Sequence, residues 1–204
     1  MKRALTVKNL LDKKYNTFPF EGIWKDIFGT PTTNGIWSIY GKDKNGKTSG
    51  TLIIANLLSS YTKVLYVSAE EGTDAEFQNA VIRTQISHNS KQLHFTEYET
   101  IEELYIRLKR RKCPKVVVLD NMTIYNAELK GVGIQNLAKD FPTHLFICLS
   151  HEERNMPYTA AGKMANKLAK IIIRVQGLKL IVSGRCPGGS LMINEEKAML
   201  YHGT

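Results

Sequence analysis

Residues Gly41 to Thr48 read GKDKNGKT, the spacing G-x-x-x-x-G-K-[ST]. Glycines at such positions let the chain curl so that several backbone N–H groups converge on anionic oxygens at the start of a helix. The lysine, here Lys47, then reaches the β- and γ-phosphates of a nucleoside triphosphate, and the hydroxyl of Thr48 ligates Mg²⁺. The spacing carries this meaning only between a strand and a helix. Both are predicted: the apolar run Ile36–Tyr40 enters the loop, and Leu52, Ile53, Ala55 and Leu57 follow in a helical segment. The phosphate site is therefore assigned to Gly41, Lys42, Asp43, Lys44, Asn45, Gly46, Lys47, Thr48 and Ser49. Lys42 and Lys44 occupy variable positions where small residues curl more easily, and they are expected to be solvated loop tips.

Two carboxylate positions complete the chemistry. Lys115-Val-Val-Val-Leu-Asp120 is an apolar strand ending in an acid. Downstream of a phosphate-binding loop, such an aspartate holds Mg²⁺ together with the loop hydroxyl. The plainer reading of Asp120 is a cap for the turn that follows. Val64-Leu-Tyr-Val-Ser-Ala-Glu-Glu71 is the strand after the loop's helix, and it ends in paired acids. One of Glu70 and Glu71 is placed to take a proton from, or orient, the water that attacks the γ-phosphate. Their alternative is to place negative charge near the next helix start, beside Asp74.

The elements that must position these groups alternate along the chain. Short, β-branched apolar runs at Ile36–Tyr40, Val64–Ser68, Leu93–Phe95, Val116–Leu119, Leu145–Ser150, Ile171–Val175 and Leu178–Val182 read as strands buried on both faces. Helical patterns lie near Thr48–Ser60, Asp74–Ser87, Thr100–Arg111, Gly133–Lys139 and Ala161–Lys170. This alternation implies an α/β fold with a mostly parallel sheet flanked by helices. From Leu178 to His202 no helix intervenes, and Pro187-Gly-Gly189 predicts a terminal antiparallel hairpin.

With these pieces placed, the chain resembles the RecA-like P-loop ATPases, in particular the RadA and DnaB-type helicase branch. Gly41–Thr48 matches the Walker A motif and Val116–Asp120 the Walker B. The resemblance implies one RecA-like domain over residues 1–204, with 1–34 as a lead-in, binding ATP and Mg²⁺. It places the catalytic carboxylate on Glu70 and a γ-phosphate sensor on Ser150 or His151. Gly184-Arg-Cys-Pro-Gly-Gly-Ser190 is similar to a hairpin that sends a basic finger into a neighbouring subunit's ATP site, which would make Arg185 that finger. The family has a lysine two residues before the arginine, where this chain has Ser183. A finger in trans implies a homo-oligomer, as a ring or a filament. Residues His151–Lys170 correspond to a channel-facing loop that binds DNA, with Arg154, Asn155, Tyr158, Lys163 and Lys167 as contacts and single-stranded DNA as the favoured partner.

The formal net charge of +9 over 204 residues is compatible with a nucleic-acid partner. The cluster Arg107, Lys109, Arg110, Arg111, Lys112 and Lys115 falls at a helix end, where it reads as a solvated face complementing the dipole. No apolar run is long enough to span a bilayer, and the basic N-terminus has no signal-peptide core. Cys113, Cys148 and Cys186 lack any C-x-x-C spacing and read as reduced thiols, so the expected location is the cytoplasm. Phe18, Phe20 and Trp24 read either as core or as residues flanking an adenine. Three rivals stay open: a P-loop kinase for a small molecule, a nucleotide-gated assembly module with little turnover and a protein partner, and a DNA-binding protein with a decayed ATP site.

Overall fold

The computed structural model describes residues 4–194. Two short helices, α1 (Val7–Leu11) and α2 (Gly22–Phe28), precede the sheet. The phosphate loop lies between β1 (Gly35–Gly41) and α3 (Lys47–Ser59), as the motif required. There follow β2 (Val64–Ser68), α4 (Ala75–Arg83), β3 (Leu93–Thr96), α5 (Ile101–Leu108) and β4 (Val116–Asp120). Then come α6 (Asn126–Leu129), α7 (Gly133–Asp140), β5 (Leu145–Glu153) and β6 (Met156–Pro157). The described chain closes with α8 (Ala160–Leu168), β7 (Ile171–Gln176), β8 (Lys179–Gly184) and β9 (Gly189–Met192).

The strand order is β3-β2-β4-β5-β1-β7-β8-β9, with β6 paired to the end of β5. Strands β3 through β7 in that order are parallel, and β8 and β9 add an antiparallel meander at one edge. The apolar runs explain the centre of this order. Every residue of β2 and β4 is buried, so both faces must be covered. One core layer contains Ile39, Leu52, Ile54, Tyr66 and Val118, and the other contains Val67, Val117, Leu119, Leu137 and Phe146. Burying side chains of this size at about 1.5–3 kcal/mol each is what fixes the register of the sheet.

Local sequence sets the helix starts. Asp74 caps α4 by accepting from the Phe77 N–H, and Thr100 with Glu103 forms a reciprocal capping box on α5. Helix α3 has no side-chain cap; Gly46 precedes it with φ 88°, which leaves the first N–H groups of the helix free for an anion.

Two expectations change. In the described part of the lead-in segment, residues 4–34, Phe18 and Phe20 take the core reading and are not available to a base. They are 1% and 2% exposed and pack with Phe28, Trp37 and Tyr61. Trp24 stacks at a tilt on Phe28 at 5.9 Å, against the same cluster. The segment after β5 is not a long loop. Strand β5 continues to Glu153, turns at Arg154 and Asn155, which both have positive φ, and returns as β6 before Thr159 caps α8. The predicted terminal hairpin is present as β8–β9, and residues 195–204 of that stretch, His202 included, lie outside the described residues.

Candidate functional site

The carboxyl ends of β1, β2, β4 and β5 open into a cleft of about 670 Å³. This is the crevice where parallel α/β sheets bind ligands. It is lined by Asp43, Lys44, Gly46, Lys47, Thr48 and Ser49 from the loop, and by Glu70, Glu71, Asp120 and His151 from the strand ends. Helix α4 closes one side with Glu76, Ala80 and Arg83.

Each loop end is shaped by backbone proximity. A side chain at Gly41 would put its Cβ 2.3 Å from the Val175 carbonyl oxygen, so the β1–β7 pairing admits only glycine there. Asn45 ties the loop to the β7–β8 turn: its Oδ1 accepts from the Gly177 N–H at 2.7 Å, and its carbonyl accepts from the Leu178 N–H at 3.2 Å. Leu178 then lies against Gly46, where a Cβ would meet it at 2.6 Å. Lys42 and Lys44 are exposed, as their variable positions suggested.

The charged groups are tightly interlinked. Lys47 Nζ donates to the Lys42 carbonyl and to Asp43 Oδ1, each at 3.0 Å. His151 Nδ1 is 2.5 Å from the same Asp43 oxygen. On its other side, His151 Nε2 is 2.9 Å from Asn121 Nδ2 and 3.2 Å from Glu70 Oε2. Asn121 Nδ2 also donates to Glu70. The Nδ1–H therefore faces Asp43, and Nε2 accepts from Asn121. Glu70 is held by the Asn121 amide, whereas Glu71 makes no such contact among the described residues. Burial, with Glu70 and Asp74 nearby, raises the Glu71 carboxyl above its usual range.

Asp120 is 6% exposed and accepts from the buried Tyr66 hydroxyl at 2.5 Å. Burial pushes its carboxyl up to about 7; the Tyr66 hydroxyl opposes this, and the charges of Glu71 and Glu70 add to it. A buried acid surrounded by two more acids suits a divalent cation, which relieves that repulsion. Among the described residues no three His, Cys, Asp or Glu side chains form a closed metal cage. Mg²⁺ takes one or two protein oxygens and draws the rest from phosphate and water. Thr48 and Asp120 are the residues that would hold it.

The fold carrying this arrangement can be compared with solved structures. Flagellar accessory protein FlaH from Methanocaldococcus jannaschii superposes with a TM-score of 0.64 at 15% identity, over 89% of this chain and 96% of that one. A KaiC-like protein from Pyrococcus horikoshii gives a TM-score of 0.56 at 13% identity, over 83% and 88%. The fold is RecA-like. No protein-family model matches the sequence, and no curated protein does. At these identities the RecA-like likeness is one of architecture.

On that RecA-like frame the sequence-predicted residues divide into two groups. Lys47, Thr48, Glu70, Asp120 and His151 meet in the cleft. Ser150 does not: it is 1% exposed, and its hydroxyl packs against Gly162 of α8, so the strand-end position facing the cleft is His151. Arg185 lies at the opposite end of the sheet, where its N–H donates to the Lys170 carbonyl. Arg154, at the β5–β6 turn, and Lys163 and Lys167, on the outer face of α8, are all exposed. Within the basic cluster, Arg107 is paired with Glu99.

Sequence reasoning missed Asn121, Tyr66 and Leu178. Asn121 had a signal, a side-chain amide directly after the strand-end acid. It also takes the capping role considered for Asp120, accepting from the Thr123 N–H at 2.7 Å.

Proposed function

We propose that this chain is a Mg²⁺-dependent ATPase on the RecA-like frame, of the RadA and DnaB-type kind, working on DNA as one unit of a homo-oligomer in the cytoplasm. The observation that carries the proposal is the convergence of Lys47, Thr48, Asp120 and Glu70 in a single cleft at the strand ends. In this reading the loop N–H groups and Lys47 bind the triphosphate. Thr48 and Asp120 would hold Mg²⁺, which would supply neutralisation of the phosphate charge. The carboxylate of Glu70, oriented by Asn121, takes the proton from an attacking water; the new P–O bond forms as the bond to the β-phosphate oxygen breaks, leaving ADP and phosphate. His151 is the group placed to sense the γ-phosphate.

The DNA assignment is supported by the +9 charge and by the exposure of Arg154, Lys163 and Lys167. The position of Arg185, far from its own loop, means that a finger role requires a second copy. Among the described residues no helix is long and apolar enough to cross a membrane.

A second reading, a nucleotide-gated assembly module with little turnover, is favoured by one observation: Lys47 and Glu70 are both engaged by protein groups. Steady-state ATP hydrolysis with Mg²⁺, with and without single-stranded DNA, separates the two. Turnover stimulated by DNA and lost in Lys47→Ala is the expected result. ATP binding without turnover, with or without DNA, would replace the ATPase by the module and direct the search to a protein partner.

A further inference from the structure

Asp43 occupies a variable position of the phosphate loop, yet one oxygen of its carboxylate joins two elements. Asp43 Oδ1 accepts from Lys47 Nζ at 3.0 Å and lies 2.5 Å from His151 Nδ1, 108 residues away in sequence. Its side chain is 74% exposed, so these polar contacts alone hold it over the loop. Lys47, and to a smaller degree His151, keep the Asp43 carboxyl below its usual range, so the group is anionic. An ammonium donates the same kind of charge-assisted hydrogen bond to a carboxylate oxygen and to a phosphate oxygen. In a loop of this spacing, Lys47 must face the terminal phosphates. Asp43 therefore sits where a phosphate oxygen has to go.

We propose that Asp43 is a resident stand-in for the terminal phosphates, and that a nucleoside triphosphate displaces it, releasing Lys47 and His151 in one event. The inference rests on the nucleotide reading above and deepens it. Two consequences follow from the geometry. The contacts of Asp43 are lost whenever a polyphosphate binds, so Asp43 lowers affinity and acts as an affinity-setting residue. His151 is freed only by a ligand long enough to reach Lys47, so AMP leaves the latch closed and ATP opens it. The ring, then tied only through its Nε2 to Asn121, stands on β5, which runs on through Glu152, itself paired to Arg174 at 2.7 Å, to the exposed turn at Arg154.

The test is calorimetric titration of ATP and of AMP, with Mg²⁺, into wild type, Asp43→Asn, Glu76→Gln and Lys47→Ala. Glu76→Gln removes a negative charge from the same cleft without touching Lys47, so it measures the general field. Asp43→Asn is expected to bind ATP roughly two- to fivefold more tightly, the range of an exposed ion pair, with AMP unaffected and Glu76→Gln giving a smaller change. In ¹H–¹⁵N spectra of the histidine rings, ATP shifts His151 in wild type and AMP does not. ATP affinity in Asp43→Asn equal to or weaker than wild type, or matched by Glu76→Gln, overturns the proposal while wild-type binding lost in Lys47→Ala keeps the nucleotide site. Absence of ATP binding in wild type and Lys47→Ala alike overturns the nucleotide reading itself, and this proposal with it.

Discussion

Lys47 and Lys170 stand at opposite ends of the same sheet, and each is held by a backbone carbonyl and side-chain oxygens. Lys170 donates to Thr32 Oγ1 at 2.7 Å, to the Asn34 carbonyl at 2.9 Å and to Asn34 Oδ1 at 2.8 Å. All three of its protons are used, and its acceptors are neutral. Burial, with Arg185 nearby, lowers its pKa, which is the cost of fixing a cation in place. Lys47 has two acceptors, and one is an exposed carboxylate on a loop. One lysine has a completed set of partners; the other keeps a partner that can be exchanged. The cleft end of the sheet differs again in its charge, with Asp43, Glu70, Glu71 and Asp120 gathered around Lys47.

The sharpest way to break this comparison is Glu70→Gln. Hydrolysis should fall by about 10²- to 10⁴-fold with ATP binding retained, measured by phosphate release beside calorimetry. Unchanged turnover would take the base role from Glu70.

The lower end is sharpened by pH. Burial, with Lys115 nearby, holds the His144 imidazole down to about 4. Between about 6.5 and 4 the unfolded chain takes up a proton that the native His144 refuses. Its contribution to stability is thus full above 6.5 and lost as pH falls towards 4, by about 3 kcal/mol at most. Urea denaturation of wild type against His144→Phe, in which the new ring joins Phe141 and Phe146, should show the slope in wild type and a flatter curve in the variant.

The two lysines themselves give the next effects. Lys47→Ala should weaken ATP by roughly ten- to a hundredfold, the worth of charge-assisted hydrogen bonds, with little change in unfolding. Lys170→Ala should do the reverse, costing about 1–3 kcal/mol of stability and leaving ATP affinity alone. The smallest effect belongs to Arg185→Ala: ATP affinity within about twofold of wild type, as for other exposed substitutions, with turnover reduced only at concentrations where copies associate.

The upper end was largely written in local sequence. A glycine-bounded loop between a strand and a helix, and acids just past or at the ends of β2 and β4, single out Lys47, Thr48, Glu70 and Asp120 in the sequence, because each sits a fixed number of residues from a strong apolar signal. The sheet was legible for the same reason: β2 and β4 are continuous β-branched runs. Helices α1, α2 and α6 were not. They span 5, 7 and 4 residues, too few for a 3.6-residue period to emerge. The choice between Ser150 and His151 needed the burial of α8 against β5. The Asp43–His151 contact joins positions 108 apart that no local pattern relates.

The bond between Asn45 and the β7–β8 turn gives the far end of the molecule a mechanical link to the phosphate loop. From Leu178, seated on Gly46, strand β8 runs six residues straight to Gly184, about 20 Å at the rise of an extended chain, and delivers Arg185 at its tip. A strand hydrogen-bonded to β7 along its whole length, and to β9 from Lys179 to Val182, resists shortening. The loop and the arginine therefore form the two ends of one strut, so a shift of the loop is carried along β8 as a push or pull at Arg185.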